Sequence, residues 1–277
     1  MKTLRTLFIL CAAICCFTAC KKEVDMTLTQ KTVLENADIR QIDVSNGWQV
    51  IVVADSCTYV ELAYSAYLES YLNIKMEDTR LVFSFPKWKG MSTINSVFRA
   101  TVHLRQLEKV DVKDASTITF TGIYEGERLY VNLSETSVCN GLTFMGDKCE
   151  IEMDLASKLL DFQFDGATCI ASLQKSSQFN GRIHAAELLD VELSASRFIN
   201  RGGETARADI KLHGGSLLNM VETQVNRLYA EFSEASEATV WVVEYLKATL
   251  NDASTLYYKG DPLKDLACLD NSEVRPL

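Results

Sequence analysis

From Val110 to the C-terminus, apolar and polar residues alternate in short runs, and each run ends on the same small polar phrase. Examples are Val112-Lys-Asp-Ala-Ser116, Leu133-Ser-Glu-Thr-Ser137, Leu193-Ser-Ala-Ser196, Leu212-His-Gly-Gly-Ser216, Phe232-Ser-Glu-Ala-Ser236, Leu250-Asn-Asp-Ala-Ser254 and Leu269-Asp-Asn-Ser272. Weaker copies are Asp154-Leu-Ala-Ser157 and Phe164-Asp-Gly-Ala-Thr168. From Ser196 the anchor serines fall at 216, 236, 254 and 272, a period of 20, 20, 18 and 18 residues. A period near 20 belongs to stacked units, each too small to bury its own apolar face. The runs before the phrase, such as Leu129-Tyr-Val-Asn-Leu133 and Leu246-Lys-Ala-Thr-Leu250, alternate with period two, as strands do. No unit has room for a helix of useful length. At about 3.3 Å per residue, such a coil has a perimeter of roughly 65 Å, enough for two or three short strands and their corners.

The pattern therefore predicts an all-β chain: a right-handed parallel β-helix-like solenoid with 18–21-residue coils and a more irregular β-rich N-terminal part. In that part Ile42–Val44, Gln49–Val53, Tyr59–Ala63, Arg80–Phe85 and Phe98–Leu104 read as strands, with a Ser45-Asn-Gly47 turn. Residues 65–72 read as a turn or two of helix, and Pro86–Ser96 as a loop. The corner serines have a structural reason. Small residues fit where corners stack, and Ser, Asp and Asn side chains bond backbone groups that a corner removes from the ladder. Substituting such a serine should cost stability and not activity.

The first residues carry a different signal. Lys2 and Arg5 precede an apolar run, Leu7–Phe17, too short to span a bilayer as a mature helix. It ends Phe17-Thr-Ala-Cys20, which resembles the lipobox of bacterial lipoproteins. The resemblance implies a signal peptide over residues 1–19, cleavage before Cys20, and acylation of Cys20 as the membrane anchor. Several acyl chains hold a protein where one is marginal. Residues 20–35 then form a lipidated tether, and 36–277 a single domain. Lys21-Lys-Glu23 loosely resembles the export signal of Bacteroides lipoproteins, so both periplasmic and surface exposure at the outer membrane stay open.

Charge narrows the partners. Without Lys2 and Arg5, 26 basic residues face 37 acidic ones, a net charge of −11, and no basic cluster remains for nucleic acid. Of the nine cysteines, Cys57, Cys139, Cys149, Cys169 and Cys268 lie beyond Cys20, odd in number and without metal-type spacing. They read as small core residues; a Cys139–Cys149 bridge stays open. His103, His184 and His213 are far apart. The acidic residues Asp114, Glu135, Asp165, Glu234 and Asp252 could line one edge and attract Ca²⁺, but the glycine-aspartate nonapeptides of calcium-binding β-rolls are absent. Trp48, Trp88, Trp241, Tyr257 and Tyr258 read as core or cap residues that would stack on sugars only if exposed. With the coils aligned on their serines, Asp114, Glu135, Gly214, Glu234, Asp252 and Asn271 fall at or near one turn position, and the alignment places no Arg, Lys or His in register with them in consecutive coils. The expectation is no catalytic residue, no metal and no cofactor.

Ile42-Asp-Val-Ser-Asn-Gly-Trp-Gln-Val50, followed by Tyr59-Val-Glu-Leu62, Leu81-Val-Phe83, the serial corners and a closing Leu256-Tyr-Tyr-Lys-Gly-Asp-Pro262, resembles the head GIN domain family of auto-transporter adhesins, frequent among Bacteroides-type envelope lipoproteins. The family's usual Ser-Gly-Ala-Ser corner is degenerate here, with Glu135, Glu234 and Asp252 in place of its glycine. The resemblance implies a binding or adhesion module at the cell envelope, with a glycan or protein ligand on the solenoid face, and brings no catalytic residues. The alternatives are a structural partner within the envelope and a polysaccharide-cleaving β-helix enzyme.

Overall fold

The computed structural model describes residues 25–85 and 96–277. The signal segment, Cys20, Trp88 and the loop from Pro86 to Ile94 and Asn95 lie outside the described residues. The rest is a β-solenoid of about eight turns, and its one helical segment is a 3-10 stretch, Ala66–Tyr71.

Each turn has three walls, made by parallel in-register pairing with the turns before and after it. The first wall precedes the serine corner. Its central inward column runs Val110, Val131, Ile151, Ala171, Val191, Ile210, Ala230 and Ala248, and every member is buried. The second wall follows the corner, and its column runs Ile118, Cys139, Leu159, Phe179, Phe198, Leu218, Ala238 and Leu256. The third wall is shorter, with Tyr124, Phe144, Phe164 and Ile183 pointing inward. Period-two alternation thus puts one residue in the core and the next in solvent, and pairing in register puts like above like. Phe179 and Phe198 stack at 4.3 Å between ring centroids, Phe144 and Phe164 at 6.3 Å.

The serine corner is more uniform in space than in sequence. Ser116, Ser137, Ser157, Ser177, Ser196, Ser216, Ser236, Ser254 and Ser272 form a buried column. Ser177 escapes the sequence pattern because Gln174-Lys-Ser precedes it, with no Gly, Ala or acidic residue. In most corners the two residues before the serine both have positive φ: 56° and 56° at Asp114 and Ala115, 58° and 56° at Glu234 and Ala235, 55° and 60° at Asp252 and Ala253. This left-handed pair costs a non-glycine residue roughly 1–2 kcal/mol at each position. It persists because the corners hold one another. The second residue of each pair donates its N–H to the carbonyl of the first residue in the next turn: Ala115 to Glu135 at 2.9 Å, Thr136 to Leu155 at 2.8 Å, Ala235 to Asp252 at 2.8 Å. The serine hydroxyls complete the joint. Ser236 Oγ accepts from the Ser216 N–H at 3.3 Å and donates to the Ser233 carbonyl at 2.7 Å, and Ser216 Oγ likewise accepts from the Ser196 N–H.

Several expectations are corrected here. Phe164-Asp-Gly-Ala-Thr168 is no copy of the corner: it lies on the third wall, paired with residues 144–148. Asp165 is therefore away from the acidic edge. That edge is interrupted by Leu155, Lys175 and Ala195, so Asp114, Glu135, Glu234 and Asp252 form no continuous acidic line. Lys175 does fall in the turn column, and its Nζ binds Asp154 Oδ2 at 3.0 Å. In the final corner Asp270 takes the first left-handed position and Asn271 the second. Cys139, Cys149 and Cys169 are free and buried, as small core residues, whereas Cys57 and Cys268 are exposed, and no Cys139–Cys149 bridge forms. Those two residues sit on different walls; Cys149 is instead in register with Cys169.

The N-terminal part closes one end of the stack. Gln41–Val44 and Gln49–Ala54 lie against Lys109–Val112 and Thr117–Thr121 as an ordinary turn. Arg80–Ser84 and Phe98–Leu104 pair parallel on their other side, forming the outermost turn although they come later in the chain. Antiparallel strands Asn73–Glu77, Tyr59–Ser65 and Leu28–Val33 then extend the edges. The second half of the tether is thus an edge strand, with Val33 packed on the core. Trp48 takes the serine position of its turn and is fully buried, its ring 5.1 Å from Phe83 and 5.4 Å from Phe85.

Candidate functional site

The outward positions of the third wall form two columns. One runs Ile123, Thr143, Gln163, Arg182; the other runs Glu125, Met145, Asp165, His184. Successive turns repeat at about 4.8 Å, so these side chains stand shoulder to shoulder along the solenoid axis. Gly203 and Glu204 close one end, leaving a groove of about 560 Å³ lined by the members of both columns other than Glu125 and floored by the strands at Phe144 and Phe164. Gly146 and Gly166 hold the adjoining corner tight: a Cβ on Gly146 would stand 1.9 Å from the Gly126 carbonyl oxygen, and one on Gly166 1.8 Å from the Gly146 carbonyl oxygen. The groove is apolar at one end, where Ile123 and Met145 are 57% and 43% exposed. It is polar at the other. His184 Nδ1 accepts from the Glu204 N–H at 3.4 Å. The ring proton of the neutral imidazole then sits on Nε2, which lies 3.9 Å from Asp165 Oδ1. Gln163 and Arg182 make no side-chain hydrogen bond or ion pair among the described residues.

Other candidates are internally satisfied. On the outer first wall, Arg207 stacks on Tyr229 at 4.5 Å and binds Asp209 at 2.8 Å. Beside them, burial above all, and then Asp209, raises the pKa of Asp190. His103 binds Asp55 at 3.0 Å, lies 4.0 Å from Glu61, and stacks on Tyr59. Hydrogen bonds at the Cys57 N–H and at His103 hold the Asp55 carboxyl below its usual pKa. His213 binds Ser233 Oγ at 2.8 Å. Trp241 carries Lys259 at 4.0 Å over its ring, and Tyr258 is buried beneath the last turn. Among the described residues no group of three or more His, Cys, Asp or Glu side chains converges as a metal site, and no helix is long and apolar enough to cross a membrane.

Of the residues singled out in the sequence, the groove brings together Asp165 and His184, 19 positions apart and in register on consecutive turns. It leaves Asp114, Glu135, Glu234, Asp252, His103 and His213 elsewhere. Ile123, Met145, Gln163, Arg182 and Glu204 were not singled out, because none belongs to a motif. The signal that could have found them is the register: counting one period of 19–20 residues along the third wall aligns Thr143, Gln163 and Arg182.

The architecture defines a class first, the parallel β-solenoids, in which short turns stack around one apolar column. Within that class, the chain belongs to the family described as "putative auto-transporter adhesin, head GIN domain", whose model matches residues 38–262. Its members are described as adhesins, not as enzymes. Similar solved structures include a "putative adhesin" from Parabacteroides merdae, at 14% identity and TM-score 0.63, covering 91% of this chain and 96% of that one. A "putative lipid binding protein" from Parabacteroides distasonis has 14% identity and TM-score 0.65, with 91% and 97% covered. A "putative adhesin" from the same species has 18% identity and TM-score 0.60, with 92% and 98% covered. At these identities the likeness shows the shared fold. No curated protein matches the sequence.

Proposed function

We propose that the protein is a lipid-anchored envelope protein whose solenoid head is a binding or adhesion module, and that the third-wall groove holds its ligand. The observation that carries the ligand site is the set of polar side chains that the fold itself does not use. Gln163 and Arg182 face solvent without partners among the described residues, beside the exposed apolar pair Ile123 and Met145. A recess that mixes apolar contact with a few convergent polar groups is the usual form of a binding site. The family description as an adhesin supports a role at the cell surface. The anchor rests on Phe17-Thr-Ala-Cys20 after a short apolar run, with Cys20 as the acylated residue and the outer membrane as the attachment. The module needs no metal and no cofactor for this role.

Two measurements test the reading. In cells, Cys20→Ala should move the protein from the membrane to the soluble fraction; protease shaving of intact cells then tells a surface head from a periplasmic one. Unchanged membrane association would refute the anchor. In vitro, the head should adhere to surfaces coated with envelope or host glycans and glycoproteins, and a Gln163→Ala/Arg182→Ala variant should adhere less. Equal adhesion by the variant would remove the groove from the reading.

A further inference from the structure

Resting on that assignment of the groove, we infer that its ligand is a neutral saccharide, its hydroxyls gripped by Gln163, Asp165 and Arg182 and its C–H face laid on Met145 and Ile123. Four observations lead there. The first is charge. Arg182 is the groove's one cationic lining residue, against Asp165 and Glu204, in a chain of net charge −9. A polyanion would meet a repulsive field, while an uncharged ligand would not.

The second is hydrogen-bonding geometry. Gln163 and Asp165 leave one strand on the same side, two residues apart, with Phe164 turned inward between them. Arg182 and His184 stand directly beside them on the next turn. Amide, carboxylate and guanidinium are planar groups, each able to reach two neighbouring hydroxyls, and together they offer both donors and acceptors. A sugar ring presents hydroxyls that both donate and accept. Asp165 is free to accept them, its side chain 64% exposed and only loosely held by His184.

The third is the apolar shelf. Met145 precedes Asp165 in its column and Ile123 precedes Thr143 in the other, so an apolar surface adjoins the polar set along the axis. A saccharide is apolar on its ring face and polar around its rim, and matches that division without needing a deep pocket.

The fourth observation excludes a competing occupant. An extended peptide adds to a sheet through a free backbone edge. Here the strands at 143–146 and 163–166 are paired on both sides by adjacent turns, and at the next turn the Asn200 side chain takes up the Ile183 N–H and carbonyl at 2.6 and 3.2 Å, so recognition rests on side chains.

The test uses the purified head, isotope-labelled for amide spectra. It is titrated with linear hexose and N-acetylhexosamine tetrasaccharides and with a hexuronic acid tetrasaccharide. Saturable shifts are expected from a neutral series, confined to amides near 143–145, 163–165, 182–184 and 203–204. The uronate should bind at least about tenfold more weakly at low salt, and Asp165→Asn and Gln163→Ala should each weaken the neutral ligand about tenfold. Thermal midpoints should stay at the wild-type value. Tighter binding of the uronate, neutral binding indifferent to both substitutions, or no response from either series would overturn the ligand class. The Gln163→Ala/Arg182→Ala adhesion assay judges the groove separately. A variant that adheres less while no saccharide binds leaves the groove standing and sinks the saccharide.

Discussion

The serine corner and the third wall are built by the same operation, one residue per turn laid above its equivalent, and they come out chemically opposite. At the corner the same residue recurs through nine buried serines, and the N–H groups of Ser196, Ser216, Ser236 and Ser254 are each taken up by the serine hydroxyl of the next turn. On the outer third wall nothing recurs. Thr143, Gln163 and Arg182 succeed one another in one column, Met145, Asp165 and His184 in the other. In a solenoid, repetition down a column marks residues that answer to the fold. A column of unlike residues, with polar groups left to solvent, marks surface that the fold does not dictate.

The sharpest way to break this contrast is at the edge of the third wall itself, because its glycines are structural. Gly166→Ala places a Cβ 1.8 Å from the Gly146 carbonyl oxygen and 2.5 Å from Phe164 Cζ. Neither can withdraw, since one is paired backbone and the other is a buried ring. A loss of about 3 kcal/mol or more is expected, read as a fall in denaturant midpoint with unchanged slope. A wild-type midpoint would show that the corner has slack the structure does not contain.

Next comes Ser236→Ala. It removes the acceptor of the buried Ser216 N–H and the donor to the Ser233 carbonyl. The expected cost is about 1–2 kcal/mol, because a buried donor is left without a partner. The outermost serine, Ser272, is 9% exposed, and Ser272→Ala should cost less in the same assay because water can reach the vacated site. Equal losses at the two serines would contradict the stacked-corner account.

The opposite sign is expected at Glu234, held at φ 58°. Glu234→Gly relieves a left-handed strain of roughly 1–2 kcal/mol and loosens the unfolded chain by roughly 0.5–1 kcal/mol. A small net gain, under about 1 kcal/mol, should appear as a raised thermal midpoint. A clear loss would mean that neighbouring corners already absorb the strain in full.

How far the sequence foretold all this follows the same divide. The solenoid, its period and most corners were readable because Ser116, Ser137, Ser216, Ser236 and Ser254 recur with small neighbours. Ser177 was not, because Lys175 and Ser176 adopt the left-handed pair (φ 50° and 68°) without the usual residues. There the turns on either side impose the conformation, and local propensity does not announce it. The inverted order at the N-terminal end was also hidden. Alternation identifies Arg80–Ser84 and Phe98–Leu104 as strands, but nothing local says that they pair outside Gln41–Val44 and Gln49–Ala54. The groove was hardest of all. Asp165 looked like a corner acid because Gly166-Ala-Thr168 mimics the corner phrase, and Arg182 belongs to no phrase. Its members become neighbours only once the register is known.

The smallest expected effect is the one that most directly tests the division between scaffold and site. Gln163→Ala and Arg182→Ala remove side chains that point outward and bond nothing among the described residues. Their backbones stay in the parallel ladder, Gln163 beside Thr143 on one side and Arg182 on the other. Alanine fits that strand without new contacts, and the inward Phe164 and Ile183 keep their places in the core. Each variant should therefore unfold within about 0.5 kcal/mol of wild type, the ordinary range for surface substitutions away from special features. The double variant need not show the sum of the two, because the side chains are neighbours on consecutive turns, but it should still unfold within about 1 kcal/mol of wild type. A loss above about 1 kcal/mol at either position would mean that the third wall's outer face helps to hold the turns together, and the contrast with the serine corner would fail there.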